Sequence, residues 1–178
     1  AMGYAAMTTN TTGNLNTAYG FAALFQNTTG TSNVAIGKGS LDQNTTGSNN
    51  SSVGTNSLNL NTTGGQNAAV GAYSLDANTT ASNNTGMGYA TLSANTTGAY
   101  NTAVGRDALG SNTTGTENSA VGSQSLDANT TGNYNSSIGH NSLSANTTAS
   151  HNSAIGYNAL AANSTGATNT ALGSTALD

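Results

Sequence analysis

The chain has almost no charge. Of 178 residues two are basic and six acidic, and charged residues make up 4% against roughly 25% in an ordinary domain. So little positive charge cannot neutralise a row of phosphates, which argues against nucleic acid as a partner. Cysteine, proline and tryptophan are absent. Without cysteine there is no disulfide framework and no thiolate metal site, and the redox compartment stays open. No apolar run approaches the ~18 residues of a membrane-spanning helix, so membrane insertion is not expected, and no signal peptide is recognisable. Leu, Ile, Val and Phe number only 23, too few for a thick globular core. Disorder is the competing reading of such a composition, but disorder usually pairs low hydrophobicity with high net charge and lacks a fixed apolar register.

What the chain has is a period. Asn16, Asn33, Asn50, Asn67, Asn84, Asn101, Asn118, Asn135, Asn152 and Asn169 open ten units of 17 residues without an insertion or deletion. A length change would break register with the units on either side, so each unit reads as one turn of a stack. The chain begins and ends within a unit, which reads as a single repeat array over residues 1–178 cut from a longer fibre.

The unit is Asn-(Thr/Ser)-Ala-(Val/Ile)-Gly-x-x-(Ala/Ser)-Leu-x-x-Asn-Thr-Thr-Gly-x-x, with the Asn as position one. Position four is always apolar: Tyr19, Ile36, Val53, Val70, Met87, Val104, Val121, Ile138, Ile155 and Leu172. Position nine is Leu24, Leu41, Leu58, Leu75, Leu92, Leu109, Leu126, Leu143, Leu160 and Leu177. These two rows are expected to face inward as the core. Positions one to five read as a short strand ended by glycine. Position three holds only Ala, Ser or Gly, which suggests close contact with another layer or another chain. Positions six to eleven fit a second strand or one helical turn, and alanine two residues after leucine favours the strand. Asn-Thr-Thr-Gly reads as the return turn, with glycine available for positive φ.

No Asn-Gly step occurs, which disfavours tight hairpins and favours parallel coils. The architecture expected is therefore an all-β solenoid, a parallel β-roll of about ten coils ~4.8 Å apart. Asn33, Asn50, Asn67, Asn101 and Asn118 at position one, and Asn44, Asn61, Asn78, Asn112 and Asn129 at position twelve, are expected to form two amide ladders of the kind found in stacked β structures.

The stretches Asn33-Val34-Ala35-Ile36-Gly37, Asn118-Ser119-Ala120-Val121-Gly122 and Asn152-Ser153-Ala154-Ile155-Gly156 resemble the head repeats of trimeric autotransporter adhesins, whose units are three residues shorter. The full unit, as in Asn101-Thr102-Ala103-Val104-Gly105 with Ala108-Leu109 and Asn112-Thr113-Thr114-Gly115, resembles repeat arrays of phage tail-fibre and bacterial surface-fibre proteins. Such arrays often precede a self-cleaving intramolecular chaperone domain. The resemblance implies a β-solenoid, three chains side by side, acting as shaft or head of an extracellular fibre on a virion or bacterial surface. Its partners would be other copies of itself, as trimer or filament, and a cell-surface glycan or protein receptor.

Chemistry-bearing residues are sparse. Asp42, Asp76, Asp127 and Asp178 share position ten. Asp42 and Asp76 lie two coils apart, ~10 Å, near the wider carboxylate spacing of inverting glycosidases. Asn59 lies between them, however, and a solvated row is expected. His140 and His151 have no ligand set around them. Lys38 is isolated, and Arg106 has only Asp107 and Glu117 as prospective partners. No catalytic, metal or cofactor site is expected. Tyr73, Tyr89, Tyr100, Tyr134 and Tyr157 occupy variable positions and are candidate surface contacts for sugars or proteins.

The reading that follows is a rigid structural spacer in an extracellular fibre, with weak surface adhesion. Two alternatives exist. One is an ice-binding solenoid, on rows such as Thr28, Thr45, Thr62, Thr79 and Thr96. The other is a filament of chains stacked end to end.

Overall fold

The structure, a computed structural model, describes residues 1–178. It is all β, without a helix. Ten strands of three residues lie at Thr17–Tyr19 (β1), Val34–Ile36 (β2), Ser51–Val53 (β3), Ala68–Val70 (β4), Thr85–Met87 (β5), Thr102–Val104 (β6), Ser119–Val121 (β7), Ser136–Ile138 (β8), Ser153–Ile155 (β9) and Thr170–Leu172 (β10). They form one parallel sheet in chain order. Each residue pairs with its equivalent one coil later, as Val53 with Val70 and Val104 with Val121. Ten rungs span roughly 43 Å along the stack.

The glycine at position five ends every strand for a stereochemical reason. Gly88 sits at φ +137°, and a Cβ there would lie 2.7 Å from the Gly105 carbonyl oxygen of the next coil. Only a residue without a side chain turns the corner so close to its neighbour.

Beyond that corner the expected second strand does not form. Positions seven and nine hold positive φ, as at Asn56 (52°) and Leu58 (49°), and Leu does so in every numbered unit. A left-handed leucine costs about 1–2 kcal/mol. The two positive-φ positions offset that cost by turning their N–H groups toward opposite neighbours along the stack. Asn56 N donates to Lys38 O of the preceding coil at 2.8 Å, and Leu58 N to Ser74 O of the following coil at 3.0 Å. Of 116 backbone hydrogen bonds only 18 belong to the strands, so the turns between the strands supply most of the bonding that holds coil to coil.

The core is one leucine wide. Leu24 through Leu143 at position nine are fully buried, and the small residues at positions three and eight, such as Ala103 and Ala108, pack around them. Where both small positions are serine they bond across the interior, Ser40 Oγ donating to Ser52 Oγ at 2.7 Å and Ser52 Oγ to Ser57 O at 2.9 Å.

Position four is not part of this core, contrary to the expectation for Ile36, Val53, Val70, Val104, Val121, Ile138 and Ile155. Their exposure runs from 36% at Val104 to 46% at Ile138 and Ile155. The strands are buried only at their middle residue. Inside so thin a coil the leucine fills the space opposite the sheet, leaving room for Ala, Ser or Gly alone. The small row at position three therefore faces the interior and not another chain: a Cβ at Gly86 would lie 3.6 Å from Leu75 Cδ1 of the preceding coil.

Both asparagine rows are interior. At position one, Asn50 N donates to Asn33 Oδ1 at 2.9 Å, and the link repeats without a gap from Asn16 to Asn169. At position twelve, Asn44 Nδ2 donates to Asn27 Oδ1 at 2.8 Å, and the same bond repeats at Asn61, Asn78, Asn112 and Asn129. The two amides of one coil also share an acceptor, Asn50 and Asn61 both donating to Gly64 O at 2.9 Å. That shared carbonyl closes the corner opposite the sheet. Glycine is preferred there because neighbouring backbone and amide oxygens crowd the space where a Cβ would sit, not for positive φ.

Candidate interaction surfaces

Three outward surfaces follow from this frame. The first is the sheet face. Because position three points in, positions two and four point out, and position four becomes a continuous apolar file from Tyr19 to Leu172, each residue directly above its equivalent. Its members are mostly β-branched and stand at ~4.8 Å intervals. Exposed contiguous apolar surface of this kind is a candidate interaction site.

The second is the threonine corner. The row Thr28, Thr45, Thr62, Thr79 and Thr96 uses its hydroxyls internally: Thr45 Oγ1 donates to Thr62 O at 3.0 Å, and Thr28, Thr62, Thr79 and Thr96 repeat the bond to the next coil. The neighbouring row at position fourteen, Thr12 through Thr165, is threonine in all ten units and exposed throughout. Its side chains have no hydrogen-bond partner in the protein.

The third is the edge formed by positions six, seven and ten, just past the glycine corner. Tyr73, Tyr89 and Tyr157 are exposed here, and Tyr100 and Tyr134 are exposed at position seventeen. All of these rings except Tyr100 are paired between coils. Tyr4 stacks on Phe21, Tyr73 meets Tyr89 edge-on, and His140 stacks on Tyr157; Tyr134 stacks on His151 at position seventeen. The two histidines are thus ring partners of tyrosine, and no cluster of three metal-ligating side chains exists. A recess of about 630 Å³ opens beside the first pair, lined by Tyr4, Ala5, Thr8, Phe21, Ala22, Phe25 and Asp42.

The position-ten carboxylates are not the freely solvated row expected. Asp42, Asp76 and Asp127 each carry one buried oxygen, Oδ1, without a hydrogen-bond partner. Burial raises the pKa of all three, with Asp107 adding to the effect at Asp127. Asn59, between Asp42 and Asp76, has the donor they lack: its Nδ2 bonds Gly39 O of the preceding coil at 2.9 Å. Arg106 pairs with Asp107 at 3.5 Å, an exposed contact contributing about 0–1 kcal/mol. Glu117 is not its partner.

Sequence reasoning overlooked Phe21 and Tyr4. The available signal was register: Phe21, Tyr89 and Tyr157 all occupy position six, four units apart. No protein-family model matches the chain, and no curated protein or solved structure is found to be similar to it.

Proposed function

We propose that the chain is a rigid spacer within an extracellular fibre, several copies lying side by side with their sheet faces together. The observation that carries this reading is the position-four file. A monomer has no use for ten stacked apolar residues in water, whereas identical files on parallel rods interdigitate along their whole length. Copies that all point the same way along a fibre are related by rotation about its axis, and three copies agree with the resemblance of the repeats to trimeric fibre heads. The mechanical role follows from the frame. Axial backbone bonds and two amide ladders resist bending, and length grows by whole coils without a change of cross-section.

Sedimentation of the chain tests this. The expectation is a discrete oligomer, a trimer, that becomes monomeric when Val70, Val104 and Ile138 are replaced by lysine. A wild-type chain that stays monomeric at high concentration would defeat the reading.

A second reading, an ice-binding surface, is favoured by the position-fourteen row, whose exposed hydroxyls repeat every ~4.8 Å. Thermal hysteresis at high protein concentration is its test, and a null result removes it.

A further inference from the structure

Every fourth coil carries an aromatic ring at position six: Phe21, Tyr89 and Tyr157. Each is joined by a ring from the preceding coil. Tyr4 and Phe21 stack with centroids 5.5 Å apart and planes 13° from parallel. Tyr73 meets Tyr89 at 5.9 Å and 76°. His140 and Tyr157 stack at 5.7 Å and 26°. The position-six rings are all about half exposed, at 53% for Phe21, 55% for Tyr89 and 53% for Tyr157. Between these platforms the same position holds Thr55, Ala72 or Ser123, and Lys38 and Arg106 stand one coil beyond the first two platforms. Four coils correspond to ~19 Å.

Packing does not require this pattern. Coils with Thr55 or Ser123 at position six have the same backbone as those with a ring. The rings cover no core, and each pair contributes only about 0.5–1.5 kcal/mol beyond its area. We propose that this edge binds a linear polysaccharide running parallel to the rod, its pyranose rings stacking on the platforms built around Phe21, Tyr89 and Tyr157.

The fit is geometric and chemical. A pyranose offers a flat face of C–H bonds to an aromatic face, and hydroxyls at its rim to polar neighbours. Tyr73, Tyr89, Tyr157 and His140 bring such polar groups. At the first platform the recess adds Phe25 and Asp42 to the surface a sugar would meet. An extended sugar chain advances by about the rise of one coil per residue, so about four sugars lead from one platform to the next. A folded protein partner favours a contiguous buried centre. Three separated platforms, with no ring at position six in the coils between them, suit a ligand that repeats. Neutral and acidic glycans share the stacking chemistry, and Lys38 and Arg106 would contribute only to an acidic chain.

The test is calorimetric titration of the chain with a neutral β-glucan and a polyuronate. Each is supplied as a trisaccharide and as an oligomer long enough to span two platforms. At least one long oligomer should bind about 10-fold tighter or more than its trisaccharide, because the platforms act together. The combined Phe21→Ala, Tyr89→Ala and Tyr157→Ala variant, with an unchanged circular dichroism spectrum, should lose that binding. Weakening by Lys38→Gln and Arg106→Gln identifies an acidic glycan, and indifference to them a neutral one. The proposal is overturned by no binding of any glycan, by equal affinity of short and long oligomers, or by undiminished binding to the folded triple variant. Capture of a glycan-free protein by the wild type and not by the variant would overturn it in favour of a protein partner. The length dependence is measured on the wild type alone, so the test survives a variant that fails to fold.

Discussion

At the scale of single residues, the chain tolerates two kinds of local cost for the sake of the stack. One is the left-handed leucine at position nine, which places a large side chain inside a coil too narrow to accept it from the strand. The other is the half-buried aspartate at position ten. Asp76 has an oxygen without a donor and a pKa raised by burial. An acid whose folded pKa is raised binds protons more tightly folded than unfolded, so it favours the fold at low pH. That advantage is fully present below the unfolded value of about 3.9 and is lost as pH rises through the folded value. Replacing Asp76 by Asn removes the charge and supplies the donor that Asn59 already uses toward a preceding-coil carbonyl. Asp76→Asn should therefore raise the melting temperature at pH 7 and leave it nearly unchanged at pH 3. Thermal melts at the two pH values check this, and a lower melting temperature at pH 7 would contradict it.

At the scale of one coil, the informative comparison is between rows that the sequence made legible and rows it did not. Leu109 and the asparagines Asn101 and Asn112 were readable because one residue type recurs at one offset, and only stacking gives such invariance a purpose. Val104 was misread because a three-residue strand has two faces and period alone does not say which is inside; a shift of one residue exchanges them. Bulk argued for valine inward. The contrary sign was position three, where Ala103 and its equivalents never exceed a small side chain. The backbone of positions six to eleven was not legible at all, since nothing in a leucine announces positive φ. The asparagine row is where the coil is most exacting. Asn112 Nδ2 donates to Asn95 Oδ1 at 2.8 Å and Gly115 O at 3.0 Å, and its own oxygen accepts from Asn129 at 2.8 Å. In Asn112→Ala both Asn95 and Asn129 keep a buried polar group without its partner, at about 1–3 kcal/mol each. The expected loss is roughly 2–5 kcal/mol, against less than about 0.5 kcal/mol for the neighbouring exposed Ser111→Ala. Denaturant unfolding measures both, and hydrogen exchange should show the loss concentrated in the coils on either side.

At the scale of the whole molecule, each coil touches only its two neighbours, so stability is close to a sum of coil and interface terms. Removing residues 118–134 excises one coil and joins Glu117 to Asn135, a position-seventeen residue to a position-one residue. Asn101 then meets Asn135 as it met Asn118, Val104 lies beneath Ile138, and Leu109 beneath Leu143. No register changes, so the shortened chain should keep the wild-type circular dichroism spectrum, unfold within a few degrees of the wild type and be ~4.8 Å shorter by small-angle scattering. Removing residues 118–133 instead leaves one residue too many in the joint. At the joint Leu143 would then lie over Gly110 instead of Leu109 and Ile138 over Gly105 instead of Val104, and the strand after the joint would present its other face to the interior. That chain should lose cooperative unfolding across the joint. Equal behaviour of the two deletions would mean that the coils are not locked in register. The position-four file and the four-coil spacing of the aromatic platforms would then no longer be properties of a rigid rod.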